Sequence, residues 1–252
     1  MVLYLIGLGL NDEKDITFKG LEAVKKCAQV YLENYTSFLQ CSVQELEKFY
    51  GKKITLADRE MSEQGAEKIV DEAKSKDVAF LIIGDPFSAT THTEIFRLAK
   101  EKKVPVKIIH NASVLTAIGI TGLQLYKFGK TTSIPFPEEH PCLETPYTVL
   151  KDNLKLGLHT LMLLDLRPAE NKYLSINKAL EVLEEIEARK KSKLITSDLL
   201  VVGCARLGSD DFIIKYGRVS ELKKIDFGKP PYCLVIPGKL HFAEEEVLEG
   251  WK

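Results

Sequence analysis

The chain has 252 residues, of which 45 % are apolar and 28 % charged, with 35 basic side chains set against 36 acidic ones. That supplies apolar surface for one large core or two smaller ones, and the near-zero balance excludes the strongly basic footprint of a nucleic-acid binder. No apolar run approaches the roughly 20 residues that cross a bilayer, so no membrane partner is expected.

Val2–Leu10 is apolar, but it lacks the basic flank and the small-residue cleavage site of a signal peptide and reads as a strand. Cys27, Cys41, Cys142, Cys204 and Cys233 are odd in number and show no CxxC spacing. They suit free thiols in a cytoplasmic, reducing setting better than a disulfide framework. The histidines are isolated too, so no metal site is expected.

In chain order, Val2–Leu8 is the first strand and Thr17–Ala28 the first helix, with Leu21, Val24 and Ala28 on one face. Gln29–Glu33 is the next strand. Ser42-Val-Gln-Glu45 fits a capping box ahead of Leu46 and Phe49. Lys53–Leu56 reads as a short strand, and the stretch from Ser62 to Lys74 as a helix. Val78–Ile83 is six apolar residues in a row, which suits a central parallel strand covered on both faces. Thr91–Lys102 is helical and Val106–Ile109 a strand. The second half gives strands at Thr131–Phe136, His159–Leu164, Leu199–Cys204, Phe212–Tyr216 and Cys233–Ile236, with helices at Thr148–Leu156 and Ser175–Lys191. The alternation predicts an α/β fold with a mostly parallel first sheet; the turn at Gly208–Asp211 predicts antiparallel pairing in a mixed second sheet. By composition, the proline-rich stretch Pro135–Pro146 reads as a linker.

Three loops follow strands of the first sheet. Gly7-Leu-Gly9-Leu-Asn-Asp12 begins like a dinucleotide fingerprint, but Asp12 replaces the third glycine and an acidic segment delays the helix. A pyrophosphate would be repelled there, so the loop predicts a ligand contact through backbone near Leu10 instead. Gly84-Asp85-Pro86-Phe87 follows the most apolar strand; glycine admits close approach, proline fixes the turn, and Asp85 can accept hydrogen bonds from a ligand. Ser88 or Thr90 can equally cap the next helix, and Gly-Asp-Pro is also a common turn tripeptide. Thr90, Thr91 and His92 add polar groups beside it. Asn111-Ala-Ser113-Val114 forms the third loop, and the three together predict a crevice at the carboxyl edge of the sheet.

Isolated candidates read as structural. His92 is expected to be a solvated or capping helix-start residue rather than a base, and His110 and His159 abut apolar runs. Tyr31, Tyr35 and Tyr126 are expected to pack, and Glu244–Glu246 to form a solvated helix face.

Several of these segments carry a resemblance. Tyr4–Glu22, Glu33-Asn-Tyr35-Thr-Ser37, Gly84–His92, Gly119–Gly129 and Pro237–His241 together resemble the diphthine synthases over nearly the whole chain, the stretches 4–22 and 119–129 most specifically. The resemblance implies the tetrapyrrole-methylase fold: an N-terminal parallel α/β domain over 1–110, a C-terminal mixed-sheet α/β domain over 111–252, and an active-site cleft between them. On that boundary Pro135–Pro146 becomes a loop of the second domain. It implies S-adenosylmethionine as cofactor, S-adenosylhomocysteine as product and no metal. The cofactor contacts carry over to Leu10, Asp85, Ser88, Ser113, Val114, Leu164, Leu207 and Leu234. At Ser88, where the family often has a bulkier apolar residue, a backbone contact is expected. The protein substrate implied is elongation factor 2, methylated on the amino group of a 3-amino-3-carboxypropyl-histidine; a cytoplasmic homodimer is also implied. Corrin and siroheme methylases of the same fold usually carry a Pro-Gly-Asp-Pro-type loop after the first strand, where this chain has Leu8-Gly-Leu-Asn-Asp-Glu-Lys-Asp15. They remain a rival reading, as does a non-catalytic S-adenosylmethionine-binding module. No side chain stands out in the sequence as the base for the transfer.

Overall fold

The computed structural model describes residues 1–35, 37–57, 65–89, 92–141 and 143–252. The chain divides into two compact units, Met1–Ala117 and Ile118–Lys252. Residues 111–117 fall in the first unit, where the Asn111 side-chain amide donates to the carbonyls of Gly7 and Asp15.

The first unit is built on a five-stranded sheet of β1 (Leu3–Gly7), β2 (Gln29–Glu33), β3 (Thr55–Ala57), β4 (Val78–Ile82) and β5 (Val106–Ile109). Their order is β3-β2-β4-β1-β5, and every pairing is parallel. Alternate residues of each strand point to opposite faces, and both faces are covered. Val78, Phe80 and Ile82 join Leu3, Leu5 and Tyr31 against α3 (Ala66–Glu72) and α4 (Thr93–Glu101), through Ile69, Val70, Ile95 and Leu98. Ala79 and Leu81 join Ile6, Leu8, Val30 and Leu32 against α1 (Phe18–Lys26) and α2 (Val43–Tyr50), through Val24, Leu46 and Tyr50. This explains why Val78–Ile82 reads as one uninterrupted apolar run.

The helix starts follow local chemistry. Thr17 accepts from the Gly20 N–H, and Ser42 and Glu45 form the reciprocal capping box that their spacing predicts. The start expected for α3 at Ser62 lies outside the described residues. The third strand sits later than expected, at Thr55–Ala57, because Glu47 of α2 engages both the Lys53 ammonium and the Ile54 N–H.

The second unit carries a mixed sheet in the order β11-β10-β12-β7-β6. It comprises β6 (Thr132–Ile134), β7 (Thr160–Leu164), β10 (Leu200–Ala205), β11 (Ile213–Arg218) and β12 (Tyr232–Ile236). Only β6 and β7 run parallel; the β10–β11 pair is antiparallel, as the turn at 208–211 predicts. A small hairpin of β8 (Leu166–Arg167) and β9 (Lys172–Tyr173) stands apart. One apolar cluster joins Met162, Leu164, Val201, Leu234 and Ile236 to α7 (Ile176–Lys190) through Leu180 and Leu183, and includes Tyr147 and Leu150 of α6 (Thr145–Lys155). The stretch 135–146 lies within this unit, and Pro146 sits in the first turn of α6, where its missing N–H costs nothing. Two further helices, α8 (Val219–Leu222) and α9 (Phe242–Glu249), complete the unit after the short α5 (Val114–Ala117) of the first.

The Glu244–Glu246 run does not form the solvated face that its charge suggests. Glu245 and Glu246 are exposed, but Glu244 is fully buried. Its carboxylate accepts from the backbone N–H groups of Gln124 and His241, from His159 Nε2 at 3.0 Å and from the Lys127 ammonium. His159, itself fully buried, accepts the Gly238 N–H at Nδ1. That fixes its tautomer, with the proton on Nε2 facing the carboxylate. Burial would raise the Glu244 carboxyl, but Lys127, the two N–H groups and His159 outweigh it and hold it down to about 2. The network ties residues 124–127, the start of β7, the 237–241 turn and α9 into one assembly.

Among the described residues no helix is long and apolar enough to cross a membrane. Cys27, Cys41, Cys204 and Cys233 are free thiols; Cys142 lies outside the described residues.

Candidate functional site

The carboxyl edge of the parallel sheet is where open α/β sheets bind ligands, and three loops there are laced together by short-range chemistry. Two residues past the ends of β1 and β4, glycines face each other: Gly9 and Gly84, both at φ +83°, exchange backbone hydrogen bonds of 3.3 and 2.7 Å. A Cβ on Gly9 would sit 2.6 Å from the Asp15 side chain, so glycine is required on steric and conformational grounds alike. The Asp15 carboxylate accepts the N–H groups of Leu10 and Asn11, folding the acidic loop back on itself. Asn111 then bridges to that loop and to the end of β1.

Asp85 is the knot of the edge, with only 6 % of its surface exposed. Its Oδ1 accepts from the Phe87 N–H at 3.0 Å and the Ser88 hydroxyl at 3.2 Å. Its Oδ2 accepts from His110 Nδ1 at 2.7 Å and the Asn111 N–H at 3.2 Å. A carboxylate has about four acceptor positions, so protein donors already fill this one. It ties the post-β4 and post-β5 loops together, where its position alone suggests a free acceptor. Burial would raise the Asp85 carboxyl; the Phe87 N–H, the His110 ring and the Asn111 N–H outweigh it and keep it below the usual carboxylate range.

Ser113 is 3 % exposed, and its Oγ is buried with no hydrogen-bond partner among the described residues. An unsatisfied hydroxyl at a sheet edge is an open position for a polar ligand group. Val114, half-buried, begins α5 immediately after it. Leu10, Asp85, Ser88, Ser113 and Val114 thus lie on three adjoining loops of the first unit. Thr90 and Thr91 lie outside the described residues.

The other three residues belong to the second unit. Leu164 ends β7 and Leu234 is central in β12, and both pack in the unit's core, Leu234 with no exposure. Leu207 is 8 % exposed and follows Arg206, which holds φ +52° while its guanidinium bonds Asp211 and the Phe227 carbonyl. That clamp fixes the loop between β10 and β11.

Several side chains depart from the sequence expectation. His92 is neither solvated nor a cap. It is 3 % exposed, makes no capping bond, and its ring nitrogens have no partner among the described residues; it packs against Phe80 and Tyr35. Ser88 bonds Asp85 and does not cap α4. Tyr31 is buried, whereas Tyr126 is 81 % exposed. His110 is not a core residue, because 68 % of its side chain is exposed. Asp15 and Glu33, the latter fully buried at the end of β2, gave no signal in the sequence beyond their charge.

Burial pushes the His92 imidazole down from 6.5 to about 4. It also lowers His159, against the opposing pull of Glu244. The unfolded chain takes up protons on both rings below 6.5, so the stability His92 confers is present above 6.5 and is lost as pH falls toward 4, and His159 adds a loss in the same direction. Urea midpoints are expected to fall steadily over that interval; a flat profile would contradict the neutral, buried placement of both rings.

Among the described residues, no group of three or more His, Cys, Asp or Glu side chains is placed to hold a metal ion. The family model described as tetrapyrrole (corrin/porphyrin) methylases matches residues 2–223, which sets the class to which this fold and sheet edge belong. The chain is 49 % identical to the diphthine synthase of Methanocaldococcus jannaschii, over 98 % of each chain. It is 46 % identical to the diphthine methyl ester synthase of Dictyostelium discoideum, over 100 % of this chain and 98 % of that one. A crystal structure of diphthine synthase matches with a TM-score of 0.91 at 42 % identity, covering 100 % of this chain and 96 % of that one. The chain belongs to the diphthine synthases of the tetrapyrrole methylase family.

Proposed function

We propose that this methyltransferase of diphthamide biosynthesis moves methyl groups from S-adenosylmethionine to the amino nitrogen of a 3-amino-3-carboxypropyl-histidine on elongation factor 2, giving diphthine. The observation that carries the reading is the full-length similarity to diphthine synthases. The acidic Asn11–Asp15 loop, held by its own carboxylate, stands where corrin and siroheme methylases usually have a Pro-Gly-Asp-Pro-type loop, and this supports it.

The open Ser113 hydroxyl and the glycine-rich edge fit a small polar cofactor. Leu10, Asp85, Ser88, Ser113, Val114, Leu164, Leu207 and Leu234 are proposed as the residues that hold S-adenosylmethionine. Leu207 and Leu164 retain some exposure, while Leu234 has none. The cofactor supplies a methyl group on an already activated sulfonium. The chain's own residues orient the acceptor, exclude water and take up a proton, which is the contribution such a displacement asks of a protein. A cytoplasmic homodimer belongs to the same proposal, its cytoplasmic part supported by the free thiols.

A second reading, in which the carboxylate is esterified as well, is favoured by the relatives named methyl ester synthases at similar identity. One assay separates these cases. Elongation factor 2 carrying the aminocarboxypropyl side chain is incubated with methyl-labelled cofactor. The proposal expects label on the factor that survives mild base. Base-labile label in addition reveals the ester; label on a precorrin offered in parallel, or no transfer at all, would defeat the proposal in favour of a tetrapyrrole methylase or a mere binding module.

A further inference from the structure

The acceptor amine is protonated in neutral water and must lose that proton before it can attack, yet nothing in the sequence marks a base. The sheet edge offers one. The Asp85 carboxylate accepts backbone N–H groups from Phe87 and Asn111. Those two bonds favour the ionised carboxylate, so the 2.7 Å contact to His110 Nδ1 must be donated by the imidazole. With its proton on Nδ1, the neutral ring carries its lone pair on Nε2. The ring is largely exposed, and Nε2 has no partner among the described residues. Asp85 is a charged group in contact with it, and the Phe87 ring lies 6.5 Å away between centroids. A buried carboxylate that fixes the tautomer and leaves the far nitrogen open is the arrangement that makes histidine a proton acceptor. His92 is enclosed by Phe80 and Tyr35 and is not open to an incoming side chain.

We infer that His110, oriented by Asp85, takes the proton from the substrate ammonium in the amine methylation proposed above. In the step, the ammonium N–H proton passes to His110 Nε2, leaving a neutral amine and an imidazolium beside the Asp85 carboxylate. The nitrogen lone pair then forms the N–C bond as the C–S bond breaks, and that electron pair stays on sulfur as the neutral thioether. The imidazolium returns its proton to solvent before the next methyl group. The inference rests on the amine being the acceptor.

The test compares the wild type with H110Q on elongation factor 2 bearing the aminocarboxypropyl side chain. Because His110 is exposed and glutamine can still donate to Asp85, H110Q is expected to fold normally; its S-adenosylmethionine affinity is measured by calorimetry so that single-turnover rates are compared at saturating cofactor. Its single-turnover methylation near neutral pH is expected to fall by roughly 10²–10⁴-fold, the usual contribution of a positioned base. The deficit should shrink as rising pH deprotonates the amine without help, and added imidazole should rescue H110A. Nitrogen NMR of the unliganded wild type should place the neutral-ring proton of His110 on Nδ1. An H110Q enzyme as fast as the wild type at neutral pH, or a proton on Nε2, overturns the inference. If the wild type labels no amine, the parent reading fails and this one with it; if the wild type labels the amine and H110Q keeps pace, only this one fails.

Discussion

Glu244→Ala is expected to lower the stability of the second unit by about 3–5 kcal/mol, the range for breaking a buried, hydrogen-bonded ion pair by removing one partner. The carboxylate is fully buried, and its loss strands the Lys127 ammonium, the His159 Nε2–H and the N–H groups of Gln124 and His241. His159 is fully buried and the Gln124 and His241 N–H groups are part-buried, so these keep part of their desolvation cost, while the Lys127 ammonium retains its bond to the Lys239 carbonyl. Glu244→Gln, which keeps the shape and one acceptor oxygen but removes the charge, should fall between the two. Glu245→Ala, on the exposed side of the same helix, should change stability by no more than about 0.5 kcal/mol. The single tryptophan, Trp251, donates from its indole to the Thr121 carbonyl within this unit, so its fluorescence reports the transition in urea. Equal midpoints for Glu244→Ala and Glu245→Ala would show that the network is not what holds the 124–127 segment to α9.

Asp85→Ala is expected to weaken S-adenosylmethionine binding by about 1–3 kcal/mol, through loop disorder. At about 1.4 kcal/mol per tenfold, that is roughly a five- to hundredfold rise in Kd. The carboxylate is saturated by Phe87, Ser88, His110 and Asn111, so its removal frees the post-β4 loop from the post-β5 loop. Asp85→Asn cannot accept from all four donors and should also lose affinity, though less. Ser113→Ala should behave differently. Its hydroxyl has no partner among the described residues, so the substitution should leave the free protein as stable or slightly more so, while still weakening the cofactor. Calorimetry beside thermal melts separates the two; unchanged affinity in both variants would remove the carboxyl edge from the binding site.

Much of the first unit was legible because its rules are local. Val78–Ile82 announces a doubly covered strand by apolar continuity, and Ser42 and Glu45 announce a helix start by spacing. The parallel pairing and the meeting of three loops at one edge follow from the alternation of strands and helices; the order of the strands was not readable. What escaped depends on residues distant in sequence. Glu244 reads as one of three surface acids until Lys127 and His159, more than 80 positions away, are brought to it. His92 looks like a helix-start polar residue, and only the packing of Phe80 and Tyr35 buries it. His110 abuts an apolar strand and reads only as structural, but β5 is an edge strand, and the largely exposed ring bonds Asp85. In the candidate site, position was readable and role was not: Asp85 lies at the strand end as expected, but protein donors occupy its carboxylate.

The place proposed for the methyl donor is the carboxyl edge of the parallel sheet, against the loops after β1, β4 and β5. A crystal structure with S-adenosylmethionine bound measures this directly. The expected result is the donor in contact with the Leu10 backbone and the Asp85–Ser88 loop, with the Ser113 hydroxyl now hydrogen-bonded to it. A donor bound elsewhere, with Ser113 still unpartnered, would contradict it.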